Sequence, residues 1–126
     1  QEVEPYLLDR DDRIVLDGPP VSLSPKMALS LGMIVHELGT NAAKYGSLSV
    51  PAGSLEVAWT LESRSDTQLV LDWKERGGPP VTPSNHRGFG LTLIEREVEQ
   101  SLAGKVRIEF EAEGLHVNLR IPLGSG

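Results

Sequence analysis

The sequence predicts an α+β protein: a two-layer α/β sandwich whose mixed, mostly antiparallel sheet carries helices on one face. Two patterns predict it. Four segments alternate apolar and polar residues with period two, the mark of strands with one buried and one wet face. Two further segments repeat apolar residues at helical spacing, with a cap or a glycine at their ends. Helices of that kind, set beside half-buried strands, cover the apolar face of the sheet.

Taken in order, Arg13-Ile14-Val15-Leu16 reads as a short strand followed by a turn at Gly18-Pro19-Pro20. The first helix starts at Ser24-Pro25, where Ser caps and Pro suits the first helical position because it has no amide hydrogen to leave unpaired. Its apolar stripe is Met27, Leu31, Ile34, Leu38, Ala42 and Tyr45, and Gly46 is placed to end it in a left-handed conformation. Such a helix is about 30 Å long. Leu55, Val57, Trp59 and Leu61 then share one strand face, as do Leu69, Leu71 and Trp73. A second helix is expected over about Leu91 to Ala103, with Leu91, Ile94, Val98 and Leu102 inward and Gly104 as its stop. Val106, Ile108 and Phe110 alternate on the next strand, and Leu115, Val117, Leu119 and Ile121 on the last, across a turn containing Gly114.

The chain of 126 residues is read as a single domain, a piece of something longer because it opens at Gln1 without an initiator Met. Its 39% hydrophobic and 24% charged composition is that of a globular protein. With no cysteine it holds neither disulfides nor thiolate metal sites. No apolar run approaches the ~18 residues of a membrane span. The formal charge of −6 argues against nonspecific binding to nucleic acid or to an anionic membrane.

Chemistry concentrates in three stretches. In His36-Glu37-Leu38-Gly39-Thr40-Asn41-Ala42-Ala43-Lys44-Tyr45-Gly46, the residues Glu37, Asn41 and Lys44 lie within about 60° of one another beside the buried stripe. Asn41 is suited to Mg²⁺, which needs only one or two protein oxygens when phosphates supply the rest. Glu37 could orient a water or accept a proton, and Lys44 could place charge near a phosphate. A solvated polar face with a Glu37–Asn41 hydrogen bond is the plainer alternative.

The second stretch is Trp73-Lys74-Glu75-Arg76-Gly77-Gly78-Pro79-Pro80 at a strand exit. Glu75 is in phase with Trp73, so it starts on the buried side, where a carboxylate needs a donor such as an exocyclic amine. Gly77 and Gly78 would let backbone approach a flat base. The plainer alternative is a Gly-Pro turn with an exposed Glu. In the third stretch, His86-Arg87-Gly88-Phe89-Gly90 precedes the second helix, where amide hydrogens near Gly88 and Gly90 could face an anion and Arg87 could add charge. The plainer reading is a loop hinge, and Val81 to Arg87 would form a short lid. The three histidines, His36, His86 and His116, show no metal-ligand spacing, and His116 alternates outward on its strand. Phosphate-loop, dinucleotide and metalloprotease motifs are missing.

Together the three stretches resemble the ATP-binding catalytic domain of bacterial sensor histidine kinases, in particular the HWE subfamily. The resemblance rests on His36 in the asparagine-box run, on Trp73-Lys74-Glu75 before Gly77-Gly78-Pro79, and on Gly88-Phe89-Gly90 followed by Leu93-Ile94, and it covers nearly the whole chain. It implies the Bergerat-type ATP-binding fold. It implies that Asn41 ligates Mg²⁺ on ATP, that Glu37 is the catalytic acid-box residue with His36 as the subfamily marker beside it, and that Lys44, Tyr45, Glu75, Gly77, Arg87, Gly88 and Gly90 form the nucleotide site. Glu75 takes the place of the more usual Asp as adenine acceptor, and Pro79 stands where many kinases have glycine. The implied partners are a phosphoacceptor-histidine dimerisation domain and a response regulator, in a cytoplasmic, homodimeric parent without membrane contact by this domain. With no acceptor helix visible, the chain alone is expected not to phosphorylate itself. A regulatory nucleotide-binding module of the same fold is the alternative.

Overall fold

The computed structural model describes residues 12–63, 66–79 and 90–124. Five strands form one sheet: β1 (Ile14–Asp17), β2 (Ser54–Ser63), β3 (Thr67–Arg76), β4 (Lys105–Glu111) and β5 (Gly114–Gly124), in the order β1-β2-β3-β5-β4. β1 runs parallel to β2, and every other pairing is antiparallel. The mixed, mostly antiparallel sheet is therefore as the alternation predicts. The strand order is new information, because β5 leaves its hairpin partner β4 at the edge and inserts beside β3.

Register explains the layering. Leu55 pairs with Glu75, Val57 with Trp73, and Trp73 with Val117, so one face of the sheet is a continuous apolar surface with a carboxylate at its end. Trp73, Val117, Leu119, Leu115 and Leu69 are all buried there. Burial fades toward the far end of β2, where Trp59 is half-buried and Leu61 exposed. Trp59 is held there by its indole N–H, which donates to the Pro19 carbonyl at 2.7 Å.

α1 (Pro25–Lys44) lies on that face. Ser24 caps it, its hydroxyl accepting from the Met27 amide at 3.2 Å, and Pro25 takes the first turn. Leu31, Ile34, Leu38 and Ala42 are buried as the stripe predicts, but Tyr45 is exposed. The helix also ends differently: Gly46 is not left-handed, with φ −105, and the amides of Tyr45 and Gly46 simply fold back onto the Asn41 carbonyl. Gly46 is needed for space instead, since a methyl there would overlap Glu75 Oε1.

The second helix is shorter and wider than expected. An α-helical turn, α2 (Thr92–Arg96), passes into a π-helical turn over Glu97–Ser101. Leu91, Ile94, Val98 and Leu102 are buried as predicted, and the widened winding keeps that i, i+4 series on the core side. The stop falls on Ala103, which is left-handed at φ 54, while Gly104 donates its amide to Val98 O at 2.9 Å. Gly104 is required by crowding, as a Cβ there would lie 2.6 Å from the Arg120 carbonyl.

Candidate functional site

The last turns of α1 gather the predicted site. Asn41 is 3% exposed, on the buried edge of the helix, and Glu37 sits half-buried one turn earlier. Gly90, at the entry to α2, packs directly on Glu37: its φ is +83, and a Cβ would come 2.9 Å from Glu37 Oε2. Gly90 is thereby held beside the acid of the first stretch. Lys44 and His36 are exposed on the same helix, and Tyr45 is exposed just past its end. Arg87, Gly88, His86 and the Val81–Arg87 lid lie outside the described residues.

Glu75 is the centre of the other half. It is 4% exposed, so it is no solvent-facing turn residue. Trp73, two residues back on the same strand face, donates its indole N–H to Glu75 Oε2 at 2.9 Å. The Ser47 amide donates to Oε1 at 3.1 Å. The carboxylate thus joins β3 to the loop leaving α1, across the small gap that Gly46 leaves open. Its burial raises the pKa above the usual glutamate value, and the hydrogen bonds from Trp73 and Ser47 offset this only in part.

Beside it, the Ser47 hydroxyl is buried and has no hydrogen-bond partner of good geometry among the described residues. Gly78 lies flat on the Ser47 backbone, where a Cβ would be 2.6 Å from Ser47 Cα. Gly77 is left-handed at φ +74, and its amide donates to Glu113 O at 3.2 Å. The glycines after β3 therefore let backbone meet backbone. Sequence reasoning missed Ser47, whose position next to Glu75 depends on the path of the loop after α1.

A carboxylate has about four lone-pair positions, and here two protein donors are in place. Glu75 can still accept from an amine. With the orphaned Ser47 hydroxyl next to it, the donor and acceptor set suits the edge of a purine base. Asn41 and Glu37, one turn apart, present a carboxamide and a carboxylate along one helix edge, the carboxamide oxygen being one that could serve Mg²⁺ and the carboxylate one that could take a proton.

No family model matches the chain. Among proteins of known name, it is 38% identical over 124 residues to blue-light-activated histidine kinase 1 of Erythrobacter litoralis, covering 96% of this chain and 33% of that protein. The chain is a homologue of part of that histidine kinase. It spans about a third of the length of that relative. The likeness extends to solved structures. The histidine kinase domain of the Erythrobacter litoralis EL346 blue-light activated kinase superposes with TM-score 0.67 at 23% identity, over 94% of this chain and 55% of that one. The catalytic domain of histidine kinase ThkA does so with TM-score 0.58 at 14% identity, over 88% of this chain and 79% of that one. Both share the fold of this chain, a sheet with its helices on one face. Among its described residues, no helix is long and apolar enough to cross a membrane.

Proposed function

We propose that this domain binds Mg·ATP between α1 and the glycine segments and donates the γ-phosphoryl group to a histidine on a separate dimerisation helix, in two-component signalling. The observation that carries the reading is the buried Glu75, held by Trp73 and Ser47 and facing the end of the helix that bears Asn41. In a protein interior a carboxylate kept this dry needs a defined set of donors. An adenine amine would complete the set, and the Ser47 hydroxyl would meet the ring edge beside it.

Each residue then has a physical task. Glu75 fixes the base, which sets the distance from base to phosphates along α1. Asn41 would hold Mg²⁺, which when bound would neutralise phosphate charge as the phosphoryl group leaves. Lys44, exposed at the end of α1, supplies a mobile positive charge for the phosphate oxygens. Gly90, pressed on Glu37, keeps the entry to α2 close to the same acid. Glu37 is the residue placed to accept or orient a proton at the attacking nitrogen of the acceptor histidine. Catalysis is then mostly positioning and charge stabilisation, as for phosphoryl transfer in general. In this reading the domain works in the cytoplasm, within a homodimeric parent that passes the phosphoryl group on to a response regulator.

Calorimetric titration with Mg·ATP tests it, on the wild-type chain and on Asn41→Ala. Micromolar binding that is lost in Asn41→Ala supports the site. Binding unaltered by the substitution removes Asn41 from it.

A further inference from the structure

β4 is an edge of the sheet. Among the described strands it pairs with β5 alone, and its other side is open. Edge strands are usually blunted by short length, a proline, a bulge or a charge turned inward. β4 runs seven residues without a proline, in unbroken register with β5, and turns only Val106, Ile108 and Phe110 to the core side. Those three pack against the core but stay half-buried.

The phase of the ladder decides which backbone groups face the open side. The turn Ala112-Glu113 joins Glu111 directly to Gly114, which makes these two a hydrogen-bonded pair. By alternation Glu109, Arg107 and Lys105 also turn their amides and carbonyls toward β5. The far end keeps this phase, since the carbonyl of Arg120, the partner of Lys105, is turned toward Gly104 just before β4. Val106 and Ile108 are out of phase and aim theirs outward.

The solvent-face side chains point to what binds there. In order they are Lys105, Arg107, Glu109 and Glu111, two cations and then two anions, all exposed. Neither cation faces a carboxylate across β5. Lys105 pairs with Arg120, itself engaged by Glu62 at 2.6 Å, and Arg107 pairs with Asn118. Asn118 donates to Asp72 Oδ1 on β3, which His116 Nε2 also approaches, both at 2.9 Å. Burial opposes the Asp72 charge, but these contacts hold its pKa below the usual value. Glu111 Oε2 lies 3.6 Å from His116 Nδ1, too far for a hydrogen bond.

The order of charges is self-complementary. When β4 is set antiparallel to a second β4 about a two-fold axis at Ile108, Lys105 faces Glu111 of the second copy and Arg107 faces its Glu109. Each pair occurs twice. Ile108 meets its own copy through the outward amide and carbonyl, and Val106 meets Phe110 on the core side. The charged residues then occupy the non-hydrogen-bonded positions, where side chains are closest. A slip of two residues either way sets Arg107 on Arg107 or Glu109 on Glu109, and in-register parallel pairing sets like charge on like. Opposite charges facing across strands stabilise and like charges destabilise, so this order selects one partner and one register.

We propose that β4 is a self-association edge, to which a second copy of this chain adds antiparallel about Ile108 and continues the sheet. The contact is isologous, the same strand serving on both sides. It uses none of the residues of the nucleotide reading and does not rest on it.

Sedimentation equilibrium of the chain, from micromolar to millimolar concentration, tests this. The wild type should show a monomer–dimer equilibrium. Arg107→Glu and Glu109→Arg should each weaken it at least about tenfold, because each change puts two like-charged pairs into the interface. The double variant, Arg107→Glu with Glu109→Arg, restores opposite charges only in the register centred on Ile108, and should return to within about threefold of wild type. The side chains lie on the solvent face, so circular dichroism should show all three variants folded. A wild-type chain that stays monomeric at millimolar concentration overturns the proposal. So does a dimer that the single variants leave unchanged, or a double variant that associates no more tightly than the single ones.

Discussion

Trp73 Nε1 donates to Glu75 Oε2 at 2.9 Å, between two side chains on one face of one strand. The spacing of two residues is what makes this possible, since i and i+2 point to the same side of a sheet. A tryptophan at that place contributes twice, by filling the core and by giving a buried carboxylate a fixed donor. Trp73→Phe keeps most of the volume and removes the donor. Leaving a buried acceptor short of its partner costs about 1–3 kcal/mol. Urea denaturation should show a lowered midpoint with an unchanged slope, and a midpoint equal to wild type would mean that the indole N–H is replaceable by water.

The same carboxylate sets a pH dependence. Burial raises the Glu75 pKa, so the native state holds this proton more tightly than the unfolded chain does. Its contribution to stability is complete below the ordinary glutamate value and is lost as pH rises through the raised native one. Glu75→Gln should flatten the decline in stability over that window, whatever its absolute cost. Asp72 works in the opposite sense: its pKa is lowered, so its contribution is present above the ordinary aspartate value and lost as pH falls through the native one. Denaturation midpoints measured from strongly acidic to neutral pH separate the two, the Asp72 window lying below the ordinary aspartate value and the Glu75 window above the ordinary glutamate value, and a Glu75→Gln profile parallel to wild type would contradict the first assignment.

Gly90 packs on Glu37 at the entry to α2. Its positive φ strains any side chain by roughly 1–2 kcal/mol, and a methyl would also crowd Glu37 Oε2. Gly90→Ala should therefore disturb Mg·ATP binding by pushing the backbone at the entry to α2 off Glu37. It should do so more than Gly32→Ala, a glycine of α1 whose Cβ would meet open space. Equal affinities for the two variants would show that the Glu37 contact is immaterial to the site.

Glu37→Gln separates binding from transfer. The amide keeps the shape and one acceptor but cannot take up a proton, so nucleotide affinity should change little. Phosphoryl transfer to an added acceptor domain should fall by about 10²–10⁴-fold, the usual share of a general base. Transfer at the wild-type rate would assign Glu37 to structure.

The helix stripe and the strand faces were legible because each is a local periodicity. Leu31, Ile34 and Leu38 on α1, and Leu69, Leu71 and Trp73 on β3, are buried as their spacing requires. Positions decided by distant chain were not legible. Tyr45 continues the apolar stripe in sequence but extends past the end of α1, where no layer covers it. Gly46 has the place of a helix stop and is kept small by Glu75, 29 residues later in the chain. The pairing of β5 with β3, and with it the meeting of Asp72 and His116, follows from strand order, which alternation does not encode.

Ala103 shows the same limit at the end of the second helix, and gives a test free of function. The sequence places a glycine next to it, yet the left-handed turn falls on Ala103 at φ 54, because Gly104 is already committed to the tight passage under the Arg120 carbonyl. An alanine in that conformation costs about 1–2 kcal/mol relative to the right-handed region. Glycine adopts it without that cost, though it loses more freedom on folding. The strain outweighs the lost freedom, so Ala103→Gly should raise stability by up to about 1 kcal/mol. Gly104→Ala should lower it, since a Cβ 2.6 Å from a backbone carbonyl cannot be relieved by a rotamer. If urea midpoints move the other way in both variants, the left-handed residue is Gly104 and the turn closes one position later.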